Sequence, residues 1–100
     1  MAGRKDDEAR VALPADCRMA AAPALHAALC SALARPACVL DGAAVERVDT
    51  SALQLLAAFR RDAVARGVAV RWHGASAALR EAAGLLGLAR ALDLPATQPA

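Results

Sequence analysis

The sequence predicts an α/β domain in which helices pack against a largely parallel sheet. Strand-like and helix-like segments alternate along the chain, which is the pattern of strand–helix–strand units. The most regular predicted helix carries a single apolar stripe, and a strictly alternating strand from Val68 to Trp72 follows it. The chain has 100 residues, which is enough for one domain with a single core.

The first half of the chain supplies two predicted strands around one predicted helix. Apolar residues alternate just before Pro14, and because proline cannot donate to a ladder, we expect a short or edge strand there. Leucine then recurs every four residues from Leu25 to Leu33, which predicts a helix that ends at Pro36. The apolar run from Ala37 to Leu40 precedes Asp41-Gly42 and predicts a buried strand that ends in a turn.

The second half begins with Asp49-Thr50-Ser51, a typical helix start. Gly67 is a suitable stop for this helix, and Ser76 can cap a third helix. From Leu88 to Leu94 there is only a short apolar segment, so one further strand is left open. The stripe of the second helix consists of Ala52, Leu55, Leu56, Phe59 and Ala63.

Composition and charge argue against several classes of protein. The net charge is +2, the arginines are dispersed, and Phe59 and Trp72 are the only aromatic residues, so a nucleic-acid binder is not expected. No apolar run is long enough to span a bilayer, so we expect no direct membrane insertion. Residues 1–10 carry charges of both signs and do not resemble a signal peptide, which predicts a cytoplasmic protein.

No recognisable catalytic or metal site is present in the sequence. The three cysteines, Cys17, Cys30 and Cys38, are an odd number without a CxxC motif, so we expect buried, reduced thiols and no metal or cofactor. His26 and His73 stand apart from any Ser or Cys and acid in a known spacing, and the acidic residues are scattered. We therefore expect a protein that is not an enzyme.

The remaining constellation is Asp49-Thr50-Ser51 at the start of the second helix. A helix cap alone explains these residue types, and capped helix starts are common. The alternative is a hydroxyl that acts as a switch, because a helix N-terminus favours a phosphate, and phosphorylation adds about two negative charges to a surface. From the residues alone the cap is favoured and the switch stays open.

Two segments of the sequence carry a distinctive pattern, Val39-Leu40-Asp41-Gly42 and Val48-Asp49-Thr50-Ser51-Ala52-Leu53-Gln54-Leu55-Leu56. Together they resemble the signature of STAS domains, the sulfate-transporter and anti-sigma-factor-antagonist family. The family motif has the form Asp-(Ser/Thr)-(Ser/Ala)-Gly-Leu, and Leu85-Leu86-Gly87-Leu88 resembles its common closing segment. The resemblance implies a STAS-type fold over residues 10–94, with about four mostly parallel strands and helices on one side. It leaves residues 1–9 as a disordered N-terminal tail and 95–100 as a C-terminal tail.

The resemblance also implies roles for individual residues. In bacterial members the hydroxyl residue after the Asp is phosphorylated, which makes Thr50 the expected site, with Ser51 as a weaker one. Asp49 would shape the helix start. Ala52 stands where the family usually has glycine, so we expect the backbone there to approach a partner less closely.

A regulatory protein-interaction module is the function that this resemblance implies. Its partner would be an anti-sigma factor, a kinase or a chemotaxis-type signalling protein. The alternative is the STAS subunit of an Mla-type phospholipid ABC transporter, which binds the ATPase. We expect the partner to contact Asp49, Thr50 and Ser51 together with residues beside them that lie off the core stripe, namely Leu53, Gln54, Ala57 and Arg60.

Overall fold

The computed structural model describes residues 8–94. Its strands are β1 (Glu8–Ala12), β2 (Asp16–Cys17), β3 (Ala37–Gly42), β4 (Arg47–Val48) and β5 (Ala69–Ala75). Its helices are α1 (Ala22–Ala32), α2 (Thr50–Arg66), α3 (Ala77–Leu85) and α4 (Ala89–Leu92), and a short 3₁₀ turn covers Met19–Ala21.

All strand pairs in the described part of the chain are parallel. The main sheet has the order β1-β3-β5, and β2 pairs with β4 in a separate two-stranded sheet. The predicted α/β class with mostly parallel strands is therefore confirmed, with the strands divided between two sheets. The strand before Pro14 is an edge strand as expected, because β1 pairs with β3 alone.

The helices cover one face of the main sheet. Val11, Leu40 and Trp72 lie side by side on this face, where the first two belong to the buried core and Trp72 packs against it. Because side chains alternate along a strand, the neighbouring position Val39 points to the opposite face, between Arg10 and Arg71. Each helix can therefore bury its apolar side against the same sheet surface.

Local sequence signals fix the ends of α2 and α3. Gly67 adopts a left-handed conformation with φ of 74° and its N–H bonds to the last turn of α2, as its predicted role as a stop requires. The Ser76 side chain accepts a hydrogen bond from the Leu79 N–H and caps α3. The apolar segment from Leu88 to Leu94 forms α4 rather than a further strand.

The N-terminal boundary of the domain differs slightly from the prediction. Glu8 and Ala9, which the prediction placed in the N-terminal tail, form the start of β1 and pair with β3. The rest of the predicted tails, residues 1–7 and 95–100, lies outside the described residues. No helix among residues 8–94 is long and apolar enough to cross a membrane.

Candidate functional site

Asp49 determines where α2 begins. Its backbone is extended, with φ of −119° and ψ of 176°, so the helix cannot continue in the N-terminal direction. One carboxylate oxygen, Oδ1, accepts the N–H of Ala52 at 3.0 Å, and the backbone carbonyl accepts the N–H of Leu53. The cap that the sequence predicts is therefore present, and it satisfies one of the N–H groups that a helix start leaves without an intrahelical partner.

The second carboxylate oxygen of Asp49 makes a connection that a cap alone does not need. Oδ2 accepts the backbone N–H of Met19 at 2.8 Å, which joins residues 30 positions apart. The pairing of Cys17 with Val48 explains the contact, because β2 and β4 are parallel and their carboxyl ends meet. Asp49 therefore fixes the start of α2 and the 3₁₀ turn at Met19 relative to each other.

Thr50 is the first residue of α2, and its side chain is exposed. Ser51 follows it and is half-buried, so it presents less of its surface to solvent. A hydroxyl at this position lies beside the positive end of the α2 dipole. The site thus presents an exposed hydroxyl residue, Thr50, on a helix start that both carboxylate oxygens of Asp49 hold in place.

A surface ion pair lies next to this helix start. The Arg18 guanidinium donates to both oxygens of Asp16 at 2.6 and 2.9 Å, and both side chains are exposed. The hydrogen bond from Arg18 lowers the pKa of the Asp16 carboxyl, and the same bond raises the pKa of Arg18. Asp49 also contributes to the raised pKa of Arg18, in keeping with the proximity of the two loops.

The predicted contact residues on α2 differ in exposure. Gln54 is exposed, one helical turn after Thr50, as expected. Leu53, in contrast, is fully buried, so its predicted position off the core is wrong and it has no surface to offer a partner. Ala57 and Arg60 are half-buried, with only 19% of the Arg60 side chain exposed.

The helix α4 accounts for the partial burial of Ala57 and Arg60. Leu53, Ala57 and Arg60 fall at i, i+4 and i+7 and so share one flank of α2. The α4 helix packs against α2, and Ala91 of α4 and the preceding Leu88 line the same groove as Ala57 and Arg60. This flank is therefore partly covered by α4, which leaves Ala57 and Arg60 only partly exposed.

Arg60 is held by contacts within the domain. Its Nη1 donates to the Val70 carbonyl at 3.5 Å, and its Nη2 lies 3.9 Å from Asp93 Oδ2. Its Nε is buried and has no hydrogen-bond partner. The Trp72 indole N–H donates to the Leu92 carbonyl at 2.8 Å and anchors α4 on the sheet. Arg60 therefore connects α2 to β5 and α4 rather than projecting from the surface.

The sequence prediction omits two exposed residues, Met19 beside Asp49 and Arg61 further along α2. Met19 is 68% exposed, and its backbone is bonded to Asp49. Arg61 is exposed and lies on the same face of α2 as Thr50 and Gln54, at i+11 and i+7 from them. Helical spacing could have selected Arg61 instead of Arg60, whereas Met19 reaches the site only through the β2–β4 pairing.

The comparison with protein families agrees with this fold. The family model described as "Mlab, STAS domain" matches residues 1–95. The chain belongs to the STAS domain family. STAS domains are in general protein-interaction modules. No curated protein sequence matches the chain.

Ala52, which stands where the family motif usually has glycine, lies in the interior of this STAS domain. Ala52 is only 2% exposed and belongs to the core cluster. Its methyl group therefore faces the interior and not a docking partner. The expectation that this residue keeps a partner at a distance is wrong, because the first turn of α2 turns Ala52 inward and Thr50 outward.

The cysteine and histidine side chains, which could react or bind a metal ion, lie away from Thr50 in sequence. Cys17 and Cys38 are fully buried, as predicted, but Cys30 is exposed, so the expectation of three buried thiols is wrong for this residue. His26 and His73 are both exposed. Among residues 8–94 no three His, Cys, Asp or Glu side chains come together in a way that could hold a metal ion.

Proposed function

We propose that this STAS domain is a regulatory protein-interaction module whose partner docks at the Thr50 end of α2. The observation that carries the proposal is the exposed Thr50 on a helix start that Asp49 fixes through two hydrogen bonds. A pre-organised surface binds with a smaller loss of conformational entropy than a mobile one. Thr50, Gln54 and Arg61 lie along one exposed face of α2, and Met19, whose backbone N–H donates to Asp49, is an exposed apolar residue. The domain acts by binding, without catalysis.

Phosphorylation of Thr50 is the proposed switch. A phosphate adds about −1.5 to −2 charges at neutral pH. The N-terminal end of α2 can accommodate this charge, because the helix dipole and the free N–H groups of the first turn favour an anion. A partner whose surface is complementary to the neutral hydroxyl would then bind less tightly, because the phosphate charge would have to be desolvated in the interface. Ser51 is a weaker site because it is half-buried.

Two classes of partner fit this surface. The first is a cytoplasmic signalling protein, such as an anti-sigma factor, a kinase or a chemotaxis-type protein, as the motif Asp49–Leu53 suggests. The second is the ATPase of an Mla-type phospholipid ABC transporter. The description of the matching family model, which names Mlab, supports this second class. Both classes would use the same exposed face of α2, so they differ in the identity of the partner and not in the site.

A quantitative pull-down from the native host tests the proposal. Thr50→Glu supplies negative charge, Thr50→Ala removes the hydroxyl, and Ser31→Glu is the matched control on the exposed surface of α1. We expect Thr50→Glu to lose a specific partner that wild type, Thr50→Ala and Ser31→Glu retain. Mass spectrometry of that partner then distinguishes a signalling protein from an ABC ATPase. If both Thr50 variants retain every partner as wild type does, the switch is refuted.

A further inference from the structure

His26 and Cys30 form a pair on the exposed side of α1. They are four residues apart, one helical turn, so their side chains are neighbours. The Cys30 Sγ lies 3.5 Å from the His26 Nε2, and both residues are exposed to solvent. In the tautomer that carries its proton on Nδ1, the Nε2 atom accepts the S–H of Cys30.

The other two thiols of the chain provide an internal comparison. Cys17 and Cys38 are both 0% exposed. Burial raises the pKa of the Cys17 thiol, and it raises the pKa of the Cys38 thiol to about 11. The thiolate is the reactive form of cysteine, so these two residues are both covered and held in the unreactive state. Among the three, Cys30 alone combines access with a neighbouring base.

A small recess adjoins the pair. It lies between α1 and α2 and has a volume of about 70 Å³. Its wall is mostly apolar and includes Leu29, Leu55 and Phe59, while His26, Cys30 and Asp62 provide its polar groups. A group attached to Cys30 would therefore find an apolar surface from the neighbouring helix beside it.

We propose that Cys30 is a site of covalent modification by thiol–disulfide exchange with low-molecular-weight disulfides, with His26 as the proton acceptor. The Cys30 sulfur gives its proton to His26 Nε2 and attacks one sulfur of the disulfide. A new S–S bond forms on Cys30 as the S–S bond of the reagent breaks. The departing thiolate takes the proton from His26 and leaves as a thiol. The reagent supplies the only oxidising equivalents.

This modification goes beyond the proposed docking function and does not depend on it. The recess is lined by Leu55, Ala58, Phe59 and Asp62, which lie further along α2 than Thr50. A substituent on Cys30 would lie beside the recess between α1 and α2. The chemistry can therefore be measured on the isolated chain without any partner.

Oxidised glutathione and intact-protein mass spectrometry test the proposal. We expect the folded wild-type chain to gain one glutathione on Cys30 and none on Cys17 or Cys38, and Cys30→Ser to gain none. His26→Asn should slow the reaction roughly tenfold at neutral pH, because the sulfur loses its proton acceptor. The matched control is His73→Asn, which removes the exposed histidine of β5 and should react at the wild-type rate. Circular dichroism verifies that each variant is folded.

Three outcomes would overturn the assignment. The adduct could be distributed over the three cysteines, Cys30→Ser could still gain one equivalent, or His26→Asn could react as fast as wild type. The first two would show that the modification is not specific to Cys30. The third would remove the role of His26 and reduce Cys30 to an ordinary exposed thiol.

Discussion

Replacing Asp49 tests the structural basis of the site. In Asp49→Ala both carboxylate contacts are lost, the cap on Ala52 and the bond to Met19. Loss of an N-cap costs about 1 kcal/mol. Loss of a hydrogen bond at an exposed position costs about a further 1 kcal/mol. We therefore expect the free energy of unfolding to fall by about 2 kcal/mol, which is roughly 10 °C in Tm for a domain of this size.

Urea unfolding of matched variants separates the two contacts. Ser76→Ala removes a helix cap that makes one hydrogen bond, to the N–H of Leu79, so it should lower the free energy of unfolding by about 1 kcal/mol. Asp49→Ser keeps a capping oxygen but lacks the second one for Met19, so we expect an intermediate loss. If Asp49→Ala costs no more than Ser76→Ala, or if Asp49→Ser is as stable as wild type, the bond to Met19 does not fix the site.

Two further predictions concern the core. Gly42→Ala should lower the free energy of unfolding by about 1–3 kcal/mol, because a Cβ there would lie 2.6 Å from Leu79 Cδ2 and 3.2 Å from the Gly74 carbonyl oxygen. Gly84→Ala should raise it by about 0.5–1 kcal/mol, because a Cβ at Gly84 meets open space and alanine favours the helix. Equal effects of the two substitutions in urea unfolding would contradict this packing. The folded state keeps the Cys38 thiol protonated up to its pKa of about 11, whereas in the unfolded chain this thiol ionises near 9.0. The free energy of unfolding should therefore fall by about 2 kcal/mol as the pH rises from 9 to 11. The chain has no tyrosine and one lysine, so a fall of the same size in Cys38→Ala would refute this cause.

Local signals in the sequence were sufficient for α2 and its ends. Asp49 has the residue type and position of a cap, Gly67 permits the left-handed stop, and the stripe from Ala52 to Ala63 has helical spacing. These features depend on neighbours within a few residues, which a sequence shows directly. The same applies to Ser76, whose side chain caps α3.

The exposure of individual residues on α2 depended on a distant segment. The short run from Leu88 to Leu94 has too few turns for a periodic signal, so the packing of α4 against the flank of α2 that carries Ala57 and Arg60 was not predictable. Likewise, Met19 reaches Asp49 because β2 pairs with β4, and two-residue strands leave almost no trace in a sequence. Long-range contacts therefore decided which predicted residues remain available to a partner.

Binding of the purified partner to Thr50 variants tests the central claim most directly. Isothermal titration calorimetry should give at least about tenfold weaker binding for Thr50→Glu than for wild type, which corresponds to about 1.4 kcal/mol. Thr50→Ala and the surface control Ser31→Glu should bind as wild type does. Unchanged affinity of Thr50→Glu, with its fold intact, would contradict the account that the exposed start of α2 is a charge-sensitive docking site.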